Sequence, residues 1–360
     1  MKKIFSLLPL YSLFFLTSCT TISGIGEDNT PAPSALVNYQ AEILPHLVWS
    51  HNIETKKTVS IFNLSNGQVF WNSSLKQTLV AGPSIGNNLV VAGDNNGGVW
   101  ALALDSGQTI WHVTLSDPIV SSPVISDKSI FVRTLDGTVW ALNNSNGSIL
   151  WKAADNTPTM VLSGGSKPIL IGSNIIVGST NGTLTAYSLQ TGAVKWQSTI
   201  ARPQGVADVE KMVDIVANPK LTDNMIYIVT YQGNLAALNS QTGRIIWQTP
   251  MSSYTGLAVS AQAIFVTDAN GVVWAFNRTT GKQMWKQEYL QYRHLTAPAI
   301  MGNTIVIADS EGYVHWLSQS SGQTLSRIQV SSSSIVSTPV VHGNQVYILS
   351  SNGLVSDYSY

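Results

Sequence analysis

The side chains that attack, transfer protons or hold metals are few in this 360-residue chain, and poorly spaced for any of those tasks. Cys19 is the single cysteine, so neither a disulfide within the chain nor a cysteine-based metal site can form. Gly82-Pro83-Ser84-Ile85-Gly86 matches the G-x-S-x-G nucleophile elbow. That elbow lifts its serine on a strand-to-helix turn, and no helical pattern follows here. The histidines at 46, 51, 112, 294, 315 and 342 show no metal-ligand spacing, and none pairs with a carboxylate motif. They read as polar surface or strand positions. Asp309-Ser310-Glu311 offers two carboxylates for acid–base work, but it falls in a turn before Gly312 and reads as solvated. The expectation is a non-enzymatic protein with no catalytic residue, no metal and no cofactor.

A repeat positions these residues. The stretch from Gly233 to Trp247, GNLAALNSQTGRIIW, reads as two strands and a turn. It recurs from Gly97 to Trp111, Gly137 to Trp151, Gly182 to Trp196 and Gly271 to Trp285, and once more from Gly312 to Ser326, where serine replaces the tryptophan. The two glycines of each copy are ten residues apart, and the final position lies four further on. Fourteen residues before the first glycine stand Pro83, Pro123, Pro168, Pro219, Pro298 and Pro339, with Leu257 in the remaining copy. Proline fits the first position of a strand, where no ladder donor is needed. Each unit is therefore four short antiparallel strands, A to D, in about 40 residues, which predicts a β-propeller blade. Trp71, Trp111, Trp151, Trp196, Trp247 and Trp285 are expected to wedge between blades, since one indole buries roughly 150–250 Å².

The two ends of the array are irregular. Residues 46–53 read as a strand around Trp49, residues 58–64 as another, and residues 67–75 as a D strand that ends its motif at Trp71. The unit from Pro339 has A, B and C but no D. Exposed strand edges invite aggregation, so an N-terminal strand is expected to supply the missing D and close the ring. If the Trp49 strand does this, residues 58–75 form a reduced eighth blade; if residues 67–75 do it, the ring has seven. The fold class is all-β, a propeller of four-stranded antiparallel blades.

Lys2, Lys3, the apolar run from Ile4 to Leu16 and Leu16-Thr17-Ser18-Cys19 form an export signal. The run is too short to span a bilayer, which needs about 20 residues. Residues 1–18 are expected to be a signal peptide, 19–42 Cys19 with a flexible tether rich in Gly, Ser, Thr and Pro, and 43–360 one propeller domain. Loss of residues 1–18 removes two lysines and no acid from 19 basic and 19 acidic residues, leaving a net charge of −2. That is no footprint for nucleic acid.

Within each repeat the spacing is fixed, and the variation lies between one tryptophan and the next strand A. The gap is 12 residues for Trp71–Pro83 and Trp111–Pro123, 13 for Trp285–Pro298, 17 for Trp151–Pro168 and 23 for Trp196–Pro219. Equivalent loops project from one face of a ring, so two neighbouring enlarged loops mark a binding face. The longest mixes Val209, Met212, Val213, Ile215 and Val216 with Asp208, Glu210, Lys211 and Asp214, a composition suited to a protein partner.

The A-L-x-x-x-T/S-G-x-x-x-W repeat resembles that of propellers in pyrroloquinoline-quinone-dependent alcohol dehydrogenases. Those enzymes place a vicinal cysteine pair beside the quinone, which this chain lacks. Leu16-Thr17-Ser18-Cys19 resembles a bacterial lipobox, and Thr20 after it resembles the sorting of lipoproteins to the outer membrane. The lipobox, the tether, the repeat array, Leu295-Thr296-Ala297-Pro298 and Asp309-Ser310-Glu311-Gly312-Tyr313-Val314-His315-Trp316 together are similar to the BamB lipoprotein family, over nearly the whole chain. The resemblance implies acylation of Cys19, a periplasmic position at the outer membrane, docking on the POTRA domains of the barrel-inserting BamA subunit, association with the other assembly subunits, and help to nascent outer-membrane barrels. It also implies docking at Val209, Glu210, Lys211, Met212 and Asp214. There a basic residue, often arginine, precedes an apolar one, and Lys211-Met212 replaces a bidentate contact by a point charge. Two other readings remain open at this point, a quinone-dependent oxidoreductase and a carbohydrate- or wall-binding propeller.

Overall fold

A turn glycine follows strand C in six of the blades and a proline or small residue opens nearly every strand A, and those two marks cut the chain into blades. The computed structural model describes residues 31–53, 56–155, 162 and 164–360. Residues 33–360 form one compact unit. It is all-β: seven four-stranded antiparallel sheets and one two-stranded sheet. Blades 1 to 6 are residues 79–114, 124–153, 169–199, 220–251, 256–287 and 299–329, each running A-B-C-D in chain order. Blade 7 takes three strands from residues 340–359, and its fourth is His46–Asn52, paired antiparallel with Leu354–Ser359. The hairpin Thr58–Phe62 and Val69–Ser74 stands by itself as the two-stranded sheet.

Strands B and C are apolar on both faces because each blade is packed on both sides. Leu89–Asp94, Ser129–Arg133 and Thr304–Ala308 are buried at every position. The core is accordingly a series of slabs between neighbouring blades. Val91, Val99, Ile130 and Val132 fill one slab, and Ile176, Leu184, Ile228 and Ala236 another. D strands alternate between half-buried and exposed, as expected at an outer edge. Five of the six prolines directly precede strand A; Pro83 instead lies inside Leu79–Gly86, where the register breaks between Ala81 and Ser84. The bulge lets the proline sit in the strand without costing a ladder bond.

The wedge tryptophans each rest on the C–D turn glycine of the following blade. A methyl group added at Gly147 would lie 2.6 Å from Trp111, and one at Gly243 2.4 Å from Trp196. These glycines also hold φ near +70°, so only glycine satisfies both the turn and the ring above it. Trp71, Trp111, Trp151, Trp247 and Trp285 donate from Nε1 to a carbonyl of the next blade, at 2.7–3.2 Å. Trp196 makes the ring contact without that bond. Trp49, absent from the expected wedges, is one: it covers Gly67 and donates to the Leu64 carbonyl at 2.9 Å. Ser326 has a reason too. Blade 7 draws its C and D strands from opposite ends of the chain, so it has no C–D turn and no glycine for an indole to cover.

Residues 34–43 fill that place. The expected tether runs to residue 42, but the chain already holds the propeller from Ser34 onward. Arg293 Nη1 donates to the Ser34 carbonyl at 3.0 Å and Arg327 Nη1 to the Val37 carbonyl at 3.2 Å. Leu36 packs into the slab between blades 5 and 6, and Ile43 into that between blades 6 and 7. From the other end, Tyr360 Oη reaches the Met301 carbonyl at 3.1 Å and Thr304 Oγ1 at 2.9 Å. The expected signal peptide and Cys19 lie outside the described residues. Among those described, no helix is long and apolar enough to cross a membrane.

Candidate functional site

D–A connections and B–C turns share one face of a four-stranded blade, because every strand reverses the chain. The two enlarged connections, from blade 2 to blade 3 and from blade 3 to blade 4, therefore emerge side by side. They are bonded to each other. The Asp214 carboxylate accepts from the Leu162 amide, and Asn218 Oδ1 accepts from the Lys167 amide at 2.6 Å. The base of the longer connection is stitched to the blades beneath: Ile215 N donates to the Ser179 carbonyl at 3.1 Å, and Tyr231 N to the Asp214 carbonyl at 3.0 Å. Ile215 also lies over Gly178, where an added methyl would be 2.2 Å away.

Above this base, residues 202–211 are all exposed, and Asp208–Lys211 forms a 3-10 turn. Glu210 holds the turn: its carboxylate accepts from the amides of Val206 at 2.8 Å and Ala207 at 3.0 Å. Those two amides lower its pKa below the ordinary glutamate value. Lys211 Nζ lies 3.4 Å from Asp208 Oδ1, a solvent-screened pair that leaves the ammonium available. Val206 and Val209 present apolar side chains at the tip.

The five residues expected at the docking surface thus separate. Val209, Glu210 and Lys211 stand on the exposed turn. Met212 does not; only 8 % of it is accessible, and it belongs to the base with Val213 and Ile215. The loop's mixture of apolar and charged residues was read as surface, whereas the chain turns inward after Lys211. Asp214 is buried as well, and burial raises its pKa to about 6, with the Leu162 amide and the Arg133 guanidinium opposing.

Arg133 escaped the sequence reading. It ends strand B of blade 2 beneath the two connections, 2 % exposed, and burial lowers its pKa against the pull of Asp155 and Asp214. Its position in the repeat is held elsewhere by Gly93, Gly178, Val229, Thr267, Ala308 and Leu349, so aligning the copies would have singled it out. Beside it, a cleft of about 250 Å³ opens where blades 1 to 5 converge, lined by Ser121, Lys167, Asn218 and Tyr254 among others.

Asp309-Ser310-Glu311 is not the solvated turn expected. Asp309 is fully buried, and its Oδ2 accepts from Arg293 Nε at 2.7 Å and lies 3.0 Å from His315 Nε2. His315 therefore does pair with a carboxylate, contrary to the sequence reading. Its burial lowers the imidazole pKa even with Asp309 opposing. The Asp309 pKa is nonetheless held below the ordinary value: hydrogen bonding from His315, the Tyr313 amide and Arg293 overcomes its desolvation. Arg293 also binds Glu311 and the Ser34 carbonyl. The cluster ties blade 6 to the N-terminal segment. The other five histidines are exposed. Ser84 accepts from Lys167 Nζ at 3.3 Å inside a strand, without a helix behind it.

A family model described as outer membrane protein assembly factor BamB matches residues 55–287 and 286–359. The outer membrane protein assembly factor BamB of Legionella pneumophila (strain Paris) is 39 % identical over an alignment of 310 residues that covers 79 % of this chain and 81 % of that protein. Its namesake in Pseudomonas aeruginosa is 35 % identical over 107 residues, 30 % of this chain and 28 % of its own. Among solved structures, BamB from Moraxella catarrhalis superposes with a TM-score of 0.83 at 26 % identity, covering 88 % of this chain and all of that one. A europium-containing methanol dehydrogenase shares the fold alone, with a TM-score of 0.66 at 12 % identity over 86 % of this chain and 83 % of its own. The chain belongs to the BamB family of outer membrane protein assembly factors.

Proposed function

We propose that this protein is a non-enzymatic scaffold of the outer-membrane β-barrel assembly machinery, held at the periplasmic face of the outer membrane by acyl chains on Cys19. It binds the POTRA domains of a BamA-type subunit and assists the insertion of outer-membrane barrels. The reading takes the pairing of His46–Asn52 with Leu354–Ser359 as the closure of the ring, with the hairpin Thr58–Ser74 as a reduced eighth blade. Its carrying observation is the pair of bonded, enlarged connections on one face of a ring whose other connections are short. Their fixed base holds an exposed tip with Val206, Val209 and Lys211, an apolar centre beside a cation, which suits a partner surface. The mechanism is positional: a rigid ring presents the tip in one orientation, so little order is lost on binding.

The test is a titration of soluble protein, residues 20–360, with the periplasmic domains of a BamA-type protein. Wild type is compared with Val209→Asp combined with Lys211→Glu, both on the exposed turn. Binding is expected to weaken about tenfold or more, or about 1.4 kcal/mol. An unchanged affinity moves the surface off this turn. Absence of binding by wild type removes the partner assignment.

A further inference from the structure

All eight D-type strands carry the same irregularity. The register to strand C slips at one residue, the one just before the wedge position, and that residue is left unpaired in a bulge. The bulged residues are Val48, Phe70, Ile110, Leu150, Lys195, Ile246, Met284 and Leu325. A bulge on an edge strand interrupts the ladder and prevents a long strand from pairing there. It also turns one carbonyl and one side chain outward.

In blade 6 this outward group is occupied. The Leu325 carbonyl accepts from the amides of Glu42 at 2.9 Å and Ile43 at 3.4 Å. Two residues on, Arg327 N donates to Tyr39 Oη at 2.9 Å, and its guanidinium lies 5.1 Å from the Tyr39 ring centre. The occupant is a piece of chain in which Val37, Tyr39 and Ile43 face the propeller half-buried, while residues 38, 40, 42 and 44 between and beside them are exposed. Under it, Leu325 is 8 % exposed. At the same position Val48, Phe70, Ile110, Leu150, Ile246 and Met284 are 41–62 % exposed, and Lys195 alone is charged. One of eight equivalent sites shows what fits the bulge, and six apolar ones are uncovered.

We propose that these six bulges form a rim that binds extended, unpaired polypeptide in the manner of residues 36–43: two amides on the bulge carbonyl, with the bulge side chain taken out of solvent. The matching ligand is a β-strand segment with alternating apolar side chains that has not yet found its own partner. Each contact is short and weak, and neighbouring bulges add by effective concentration when one chain spans two blades. The bulge keeps pairing from spreading, so the segment leaves again. The proposal rests on the assembly reading only for the source of such segments.

The probe is a fluorescein-labelled synthetic peptide of twelve residues alternating Val, Phe and Tyr with Thr and Ser, compared with a shuffled peptide that breaks the alternation. Binding is followed by anisotropy against residues 20–360, wild type and the variant carrying Ile110→Ser, Leu150→Ser, Ile246→Ser and Met284→Ser. Those positions are half exposed, so the ring is expected to stay folded; its melting curve checks this, and the single variants Ile110→Ser and Met284→Ser replace the combination if it melts early. The expected result is saturable binding that prefers the alternating peptide, weakens about fivefold or more in the variant, and is unaffected by Val209→Asp with Lys211→Glu. Equal binding by wild type and variant, no preference for alternation, or no binding at about 1 mM protein overturns the proposal. Loss of POTRA binding with rim binding intact would instead overturn the partner assignment alone.

Discussion

Gly147 and Trp111 commit each other. The glycine turns the chain at φ +72°, and the space where its side chain would be holds the indole of the preceding blade. Gly147→Ala is therefore expected to cost about 1–3 kcal/mol through backbone strain and displacement of the ring. Trp111→Ala is expected to cost about 3–5 kcal/mol through the cavity it leaves. Because both changes damage one contact, the double variant should lose less than their sum, which urea unfolding of the four proteins would show. Asp214 gives a pH signature. Its native pKa of about 6 lies above the unfolded value near 3.8, so the native state holds the extra proton between those values. Stability from this group therefore falls as pH rises from about 4 to 6 and is fully lost above that range. Asp214→Asn removes the titration, and the variant should gain on wild type by about 1–3 kcal/mol across that window. The slope against pH is the measurement to take, since differences between the two side chains other than charge shift both ends alike. An unchanged slope would mean that Asp214 is ionised throughout.

At the scale of elements, regular spacing was legible and compensation was not. Glycine and proline spacing located nearly all strands, because turn geometry and ladder bonding restrict those two residues wherever they stand. The wedge tryptophans followed from the same spacing. Trp49 did not, since its blade partner lies some 300 positions along the chain and no local pattern records such a pairing. Residues 34–42 were read as tether from composition, yet their role depends on Arg293 and Arg327, whose carbonyl contacts only folding brings together. For the candidate site, loop lengths pointed to two connections that the fold bonds to each other. The inward turn after Lys211 was hidden, because an apolar residue between charges looks alike on a surface and at the edge of a core. Arg133 was readable only by comparing copies, as the one charged residue at a position otherwise apolar or small.

At the scale of the molecule, stability is a relay. Trp49 holds the hairpin, Trp71 holds blade 1, and the contact passes on through Trp285 to blade 6. At Ser326 the relay stops, and the junction of blades 6 and 7 rests on residues 34–43 and Tyr360 instead. His46–Asn52 takes part on both sides, pairing with Leu354–Ser359 and covering Gly67 with Trp49. A protein beginning at residue 53 loses the fourth strand of blade 7, the hairpin's wedge and the cover over the blade 6–7 slab together. It is expected to melt well below the full soluble chain, with hydrogen exchange fastest at Leu354–Ser359 and Val69–Ser74. Strands Met225–Val229 and Gly233–Asn239 of blade 4 are flanked by intact blades on both sides and should keep their protection longest. Uniform loss of protection around the ring would show instead that the blades unfold as one unit, with no weak junction. Protection unchanged at Leu354–Ser359 would show that the His46–Asn52 pairing contributes little in solution.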